Sequence, residues 1–85
     1  MSEDRDTALR RMAMRSGRRG TKEMDIILGG FAARELAALD PDTLALYDQL
    51  LEENDQDLYL WVSGQAPAPE RFSGLIDRIA QTPRG

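Results

Sequence analysis

The amino-acid sequence predicts an all-α fold, a compact bundle of about five short helices. Apolar residues recur at spacings of three and four along most of the 85-residue chain, which is the periodicity of helices that bury one face. No segment alternates apolar and polar residues for long enough to form a strand. Glycine and proline interrupt the helical pattern at short intervals, so we expect several short helices joined by short loops.

The first two helices are predicted from their apolar stripes. Leu9, Met12 and Ala13 lie at i, i+3 and i+4, which predicts a helix over roughly 5–16 that Gly17 ends. The second stripe extends to i+7 and comprises Met24, Ile27, Leu28 and Phe31. Gly29-Gly30 interrupts this second helix, so we expect either a kink or the close approach of a neighbouring element there.

Three further helices follow recognisable start and stop signals. Asp40-Pro41-Asp42 combines a capping carboxylate with a proline at the first helical position, and Asn54-Asp55 starts the next helix, which ends near Gly64. The last helix follows the polar loop GQAPAPE. The stripes of these helices are Leu44, Tyr47 and Leu51, with Leu46 and Leu50 alongside; Leu58, Trp61 and Val62; and Phe72, Leu75, Ile76 and Ile79. We predict that Met12, Met24, Phe31 and Trp61 pack in the core.

The chain has the length of one small domain, which we predict to span residues 1–85 with an ordered core at about 7–81 and flexible ends. It contains no cysteine and no histidine. This composition excludes disulfide bonds, thiolate metal sites, the usual zinc ligand and a serine–histidine nucleophile pair, so no catalytic or metal-binding residue is predicted. An independent enzyme, which would have to use carboxylates or lysines for acid–base chemistry, is a distant alternative.

The sequence predicts a cytoplasmic protein without membrane insertion. No apolar run approaches the roughly 18 residues that a membrane-spanning helix needs. The N-terminal segment MSEDRDTALRRMAMRSGRR lacks the apolar stretch of a secretory signal. Its acidic residues Glu3, Asp4 and Asp6 argue against an organelle transit peptide.

The net charge of −4 conceals an asymmetry along the chain. Residues 1–22 carry seven Lys or Arg and three Asp or Glu, a net +4, whereas residues 23–85 carry four and twelve, a net −8. Several basic residues of the first segment recur at three- and four-residue spacing, so a continuous helix would place them on one face. They are Arg11, Arg15, Arg18 or Arg19, and Lys22.

Such a basic face has two interpretations apart from a protein-docking surface. It can be an ordinary solvated face, or it can neutralise the phosphates of a nucleic acid. A small helical nucleic-acid-binding or regulatory module is therefore the alternative function. The acidic remainder of the chain and the lack of aromatic residues among the basic ones argue against it.

The segment RRGTKE, residues 18–23, has the features of a contact surface. Gly20 leaves bare backbone, so another chain can approach it closely. Glu23 follows Arg19 by four residues, a spacing at which two side chains can meet on a helix. A capping glycine beside an incidental ion pair is the alternative interpretation, and the order of residues does not match a phosphate-binding loop.

Arg19-Gly20-x-x-Glu23, followed by Asp25 and the apolar IIL, resembles the RGxxE signature of the succinate dehydrogenase flavinylation factors. This is the family of bacterial SdhE and the mitochondrial succinate dehydrogenase assembly factors. The segments LAALDPDTLALYDQLLEENDQDLYLWVSG and APERFSGLIDRI are similar to the later helices of that family. The resemblance covers roughly residues 10–80.

The resemblance implies an assembly factor, or chaperone, rather than an enzyme. Members of this family bind the flavoprotein subunit of succinate dehydrogenase, in some organisms also fumarate reductase, and promote covalent attachment of FAD to a histidine of that client. The expected partner is therefore this flavoprotein subunit, bound by a monomeric chain, and no nucleic acid is expected. No cofactor is expected to bind this chain stably, because the FAD belongs to the client.

The resemblance also implies which residues contact the client. The expected client-binding residues are Arg19, Gly20, Glu23, Asp25, Arg11 and Arg15. Arg19 is expected to pair with a client carboxylate, and Glu23 to orient Arg19 or to accept a hydrogen bond from the client. Asp55 and Asp57 are interpreted first as acids at the start of a helix, with contact to the client as the alternative.

Overall fold

The computed structural model describes residues 3–81, and this part of the chain is all-helical, as predicted. Its α-helices are α1 (Arg5–Ser16), α2 (Lys22–Glu35), α3 (Pro41–Leu50), α4 (Asp55–Ser63) and α5 (Glu70–Gln81). A 3-10 turn over Leu36–Ala38, which the sequence did not predict, follows α2 directly. Of the ends predicted to be flexible, residues 1–2 and 82–85 lie outside the described residues. Among the helices described, none is long and apolar enough to cross a membrane.

Side-chain caps determine where four of the helices begin. Asp4, Thr21, Asp40 and Asn54 each accept a hydrogen bond from a backbone N–H three residues further on, which satisfies a donor that has no partner inside the helix. The start signals predicted for α3 and α4 are therefore confirmed. Gly64 ends α4 in the left-handed conformation, with φ of 82°, which favours glycine at that position.

The core is built around α2, whose Met24, Leu28 and Phe31 are fully buried. α1 and α4 pack against α2, and α5 packs against both α3 and α4. The Phe31 ring lies 5.4 Å from that of Tyr47 on α3, measured between centroids. Core positions were also predicted for Met12, which is buried, and for Trp61, which is half-buried and packs against Phe72 with centroids 6.2 Å apart.

Ser16, rather than the predicted Ala13, completes the buried face of α1. Ala13 is exposed, whereas Ser16 has no exposed surface and is the buried polar residue among those described. Its hydroxyl donates to the carbonyl of Met12 at 2.7 Å, so the Tyr47 hydroxyl donates to Ser16 across 2.6 Å. Both buried hydroxyl groups are therefore satisfied, which removes the desolvation cost of placing them in the core. Burial raises the pKa of Tyr47 to about 12.

Gly29 admits a close neighbour, which is one of the two alternatives predicted for this position. α2 runs unbroken from Lys22 to Glu35. A Cβ at Gly29 would lie 3.6 Å from the Cα of Gly17 and 3.9 Å from the carbonyl oxygen of Ser16. The end of α1 therefore packs directly on the backbone of α2, and this contact places the loop that follows α1 at the first turn of α2.

Two glycine substitutions compare an open helical position with a closely packed one. At the open position, Gly74→Ala is expected to raise the free energy of unfolding by about 0.5–1 kcal/mol, because alanine is a better helix former and a Cβ at this position of α5 would meet no atom within 4 Å. Gly29→Leu is expected to lower the free energy of unfolding, because atoms beyond its Cβ would meet the backbone of Gly17 and Ser16. Urea denaturation followed by circular dichroism measures both, and a stable Gly29→Leu variant would contradict the close packing.

The raised pKa of Tyr47 predicts a loss of stability at alkaline pH. In the unfolded chain the phenol ionises near pH 10, whereas in the folded protein its pKa is about 12. The unfolded state therefore releases the proton first, and the free energy of unfolding falls as the pH rises through this window. Urea denaturation between about pH 9 and about pH 11 should show a weaker pH dependence in Tyr47→Phe than in the natural protein.

Candidate functional site

The RGxxE signature lies across the end of the α1–α2 loop and the first turn of α2. Thr21 caps α2 by accepting a hydrogen bond from the backbone N–H of Met24 at 3.3 Å. Arg19 and Gly20 precede this cap and belong to the loop, whereas Glu23 lies on the helix. The signature thus begins in the α1–α2 loop and ends on the first turn of α2.

The side chain of Arg19 joins the loop to the α3–α4 connection. Its Nε donates to Asp55 Oδ1 at 2.7 Å, Nη1 donates to the carbonyl of Leu51 at 2.9 Å, and Nη2 donates to the carbonyl of Glu53 at 2.8 Å. The guanidinium thereby satisfies two carbonyl groups of the α3–α4 connection and pairs with the first residue of α4. The Arg19 and Asp55 side chains are only 10% and 15% exposed, so this ion pair is largely shielded from water.

Gly20 permits a close approach, but the group that approaches belongs to the same chain. The backbone N–H of Gly20 donates to Oδ2 of Asp55, the oxygen that Arg19 Nε does not use. A Cβ at Gly20 would lie 3.0 Å from that oxygen, which is tighter than ordinary contact. Asp25, on α2, accepts a hydrogen bond from the backbone N–H of Arg19. The loop is therefore held by two carboxylates, one on each of α2 and α4.

Glu23 does not contact Arg19, which was one of the two roles expected for Glu23. The i, i+4 spacing brings side chains together inside a helix, and Arg19 lies before the Thr21 cap. Its guanidinium, expected to pair with a client carboxylate, is already paired with Asp55. The Glu23 side chain is exposed and has no hydrogen-bond or ion-pair partner within residues 3–81.

Arg11 and Arg15, expected to extend the docking patch, form ion pairs with α3. Nη1 and Nη2 of Arg11 donate to the two carboxylate oxygens of Asp48 at 2.8 and 2.9 Å, and Arg11 also pairs with Glu3. Arg15 pairs with Glu52 just beyond the end of α3. The hydrogen bonds from Arg11 hold the pKa of Asp48 below its ordinary value. These two arginines therefore meet acids of the same chain, and the continuous basic face expected from the spacing does not form because α1 ends at residue 16.

Sequence reasoning missed three residues that shape this site. Asp55 is at the start of a helix, as interpreted, but Asn54 is the cap, which leaves the Asp55 carboxylate available to Arg19. Ile26 and Tyr59 are 51% and 39% exposed, and neither was singled out. The exposure of Ile26 could have been predicted, because adjacent residues such as Ile26 and Ile27 cannot share one face of a helix. Tyr59 likewise lies beside the apolar stripe of α4 rather than on it.

A matched pair of arginine substitutions tests the internal role of Arg19. Arg19→Ala is expected to lower the free energy of unfolding by about 3 kcal/mol, because it removes the cation that pairs with the largely buried Asp55 carboxylate and the donor to the carbonyl of Glu53. Arg18→Ala, at the exposed neighbouring position, should change it by less than about 0.5 kcal/mol. Urea denaturation compares the two variants. Equal effects would contradict the structural role of Arg19.

Comparison with known proteins agrees with the resemblance seen in the signature. A family model described as flavinator of succinate dehydrogenase matches residues 10–83. The mitochondrial succinate dehydrogenase assembly factor 2 of Schizosaccharomyces pombe is 40% identical over 70 residues, which cover 82% of this chain and 50% of the relative. That of Candida glabrata is 39% identical over 75 residues, covering 85% and 49%. Assembly factor 2-A of Drosophila persimilis is 35% identical over 80 residues, covering 92% and 50%.

The chain thus spans about half the length of these curated relatives. Their names describe assembly factors, which agrees with the prediction of an accessory factor rather than an enzyme. The match of the family model extends over most of the chain, from the middle of α1 to beyond α5. This chain belongs to the family of succinate dehydrogenase flavinators.

Proposed function

We propose that this chain binds the flavoprotein subunit of succinate dehydrogenase and promotes the covalent attachment of FAD to a histidine of that client. The observation that carries the proposal is the family match over residues 10–83. The names of the relatives, which describe assembly of succinate dehydrogenase, support the same client. The proposal includes the flavoprotein of fumarate reductase as a second client.

We place the client contact at Glu23 and assign a positioning role to the other residues of the signature. Glu23 is exposed and unpaired within the described part of the chain, so its carboxylate is available to a partner. Arg19 and Gly20 are bonded to Asp55, and Asp25 is bonded to the loop backbone. These contacts hold the loop against α4, so the first turn of α2 presents Glu23 in a fixed orientation to the client.

The ion pairs of Arg11 and Arg15 support a protein partner over a nucleic acid. A phosphate-binding face needs cations that are free to replace counterions along the nucleic-acid backbone. Arg11 is already paired with Asp48, and Arg15 with Glu52. We therefore propose that these arginines orient α1 against α3, and that neither the client nor a nucleic acid is their main partner.

The proposed contribution to flavin attachment is conformational. The 85 residues contain no histidine and no cysteine, so the residue that bonds to the flavin comes from the client. Binding of a folded partner can favour the client arrangement in which histidine and flavin are oriented for attack, because holding two reactants in position removes much of the entropic part of the barrier. On this proposal the chain acts as a monomer and holds no FAD stably.

Client and factor have to meet in one compartment. The sequence predicts a cytoplasmic protein, whereas the three relatives are named as mitochondrial. We propose that the chain acts in the compartment in which its flavoprotein client receives FAD.

Covalent flavin in the client tests the proposal. The flavoprotein subunit of succinate dehydrogenase is separated on a denaturing gel and its flavin fluorescence compared between cells with the gene intact, deleted, or carrying Glu23→Lys. We expect the deletion to remove most of the covalent signal. Glu23→Lys should lower it severalfold, because a lysine would repel the group that the carboxylate attracts.

Glu70→Lys is the matched control for this experiment, because Glu70 is an exposed glutamate in the first turn of α5, as Glu23 is in the first turn of α2. It should leave the flavin signal unchanged. Gly20→Arg is a less selective variant, since its side chain would displace Asp55 and disturb the fold as well as the surface. An unchanged signal in the deletion strain would contradict the proposed function.

A further inference from the structure

Two of the large apolar side chains that the described residues expose lie together between α2 and α4. Ile26 of α2 is 51% exposed and Tyr59 of α4 is 39% exposed. Both line a surface cavity of about 250 Å³ with Glu23, and the buried side chain of Ile27 forms its inner wall. An apolar side chain that entered this cavity would remove both exposed groups from water, which is favourable in proportion to the area covered.

One end of this cavity is acidic. A second cavity of about 250 Å³ adjoins it and is lined by Glu23 and Tyr59, which the two cavities share, and by Thr21, Asp55 and Gln56. The Asp55 carboxylate is occupied by Arg19 and by the backbone of Gly20. The Glu23 carboxylate therefore remains as the anionic group available to a ligand, directly beside apolar side chains.

The surface of α2 beyond Ile26 is open. Gly30 lies one helical turn further along the same face of α2, and a Cβ placed there would meet no atom within 4 Å. The absence of a side chain leaves room for a segment of a partner to lie along α2 from Glu23 towards Gly30. We call the surface formed by Glu23, Ile26 and Tyr59, and continued along α2 by Gly30, the Ile26–Tyr59 groove; it is apolar at Ile26 and Tyr59 and acidic at Glu23.

We propose that the Ile26–Tyr59 groove binds a segment of the client that presents an apolar side chain next to a lysine or arginine. The apolar side chain would enter the cavity between Ile26 and Tyr59, and the cation would pair with Glu23. A second copy of this chain is a poorer occupant, because the whole chain carries a net charge of −4 and the groove is acidic at Glu23. The inference rests on the proposed function, since it assigns the segment to the flavoprotein subunit.

Binding measurements with exposed-residue variants test the groove. The dissociation constant for purified flavoprotein subunit of succinate dehydrogenase is measured by titration calorimetry. Ile26→Ser and Tyr59→Ser should each weaken binding by about tenfold or more, the effect typical of a central interface residue. Met14→Ser is the matched control, because Met14 is 56% exposed and lies with Arg15 and Arg18 along a different cavity. It should change the dissociation constant by less than about twofold.

Salt dependence tests the charged end of the groove separately. Binding of the natural chain should weaken as the salt concentration rises, and Glu23→Gln should flatten that dependence because it removes the anionic partner of the client's cation. Circular dichroism and thermal unfolding of each variant show whether its fold is retained.

Three outcomes would overturn the inference. Binding that Ile26→Ser and Tyr59→Ser leave unchanged and Met14→Ser weakens would place the client on the other side of the loop, with the proposed function intact. A chain that self-associates through the groove, seen as a dimer that Ile26→Ser dissociates, would identify a second copy as the occupant. Failure of the natural chain to bind the flavoprotein at all would remove the proposed function and the inference together.

Discussion

The ion pair between Arg19 and Asp55 is the interaction on which the rest of this structure depends. Both side chains are largely shielded from water, and charges in that position are tolerated when their remaining hydrogen-bonding groups are also satisfied. Arg19 meets this requirement by donating to the carbonyls of Leu51 and Glu53, and Asp55 by accepting from the backbone of Gly20. One pair thereby fixes the α1–α2 loop, the end of α3 and the start of α4 relative to one another.

This arrangement divides the RGxxE signature into an internal part and an external part. Arg19 and Gly20 both bond to Asp55, so they form part of the contact between the loop and α4. Glu23 is exposed. It lines surface cavities together with the exposed side chains of Ile26 and Tyr59, which do not belong to the core. The contacts of Arg19 and Gly20 with Asp55 hold the start of α2 beside α4, and the groove lies between these two helices. Glu23 itself forms part of the groove surface.

The charge asymmetry of the sequence also has an internal explanation. Arg11 and Arg15 of α1 pair with Asp48 and Glu52, so part of the basic segment is neutralised within the fold. Ion pairs of this exposure contribute little stability individually. They join α1 to α3 and its C-terminal end, while the direct contact of Gly29 with the end of α1 sets how closely α1 and α2 pack.

The sequence alone was sufficient for the five helices and most of the core, because these depend on local determinants. Asp40-Pro41 and the apolar stripe that contains Phe31 act within a few residues, through capping and helical periodicity. The family resemblance was also visible, since a signature is a local pattern. The partner of Arg19 was not predicted, because Asp55 lies 36 residues away and pairs with it only after α3 and α4 have packed. Burial of Ser16 against Tyr47, 31 residues away, was missed for the same reason. Tertiary structure decided these contacts because a charged or polar side chain takes whichever partner the packed helices bring within hydrogen-bonding distance.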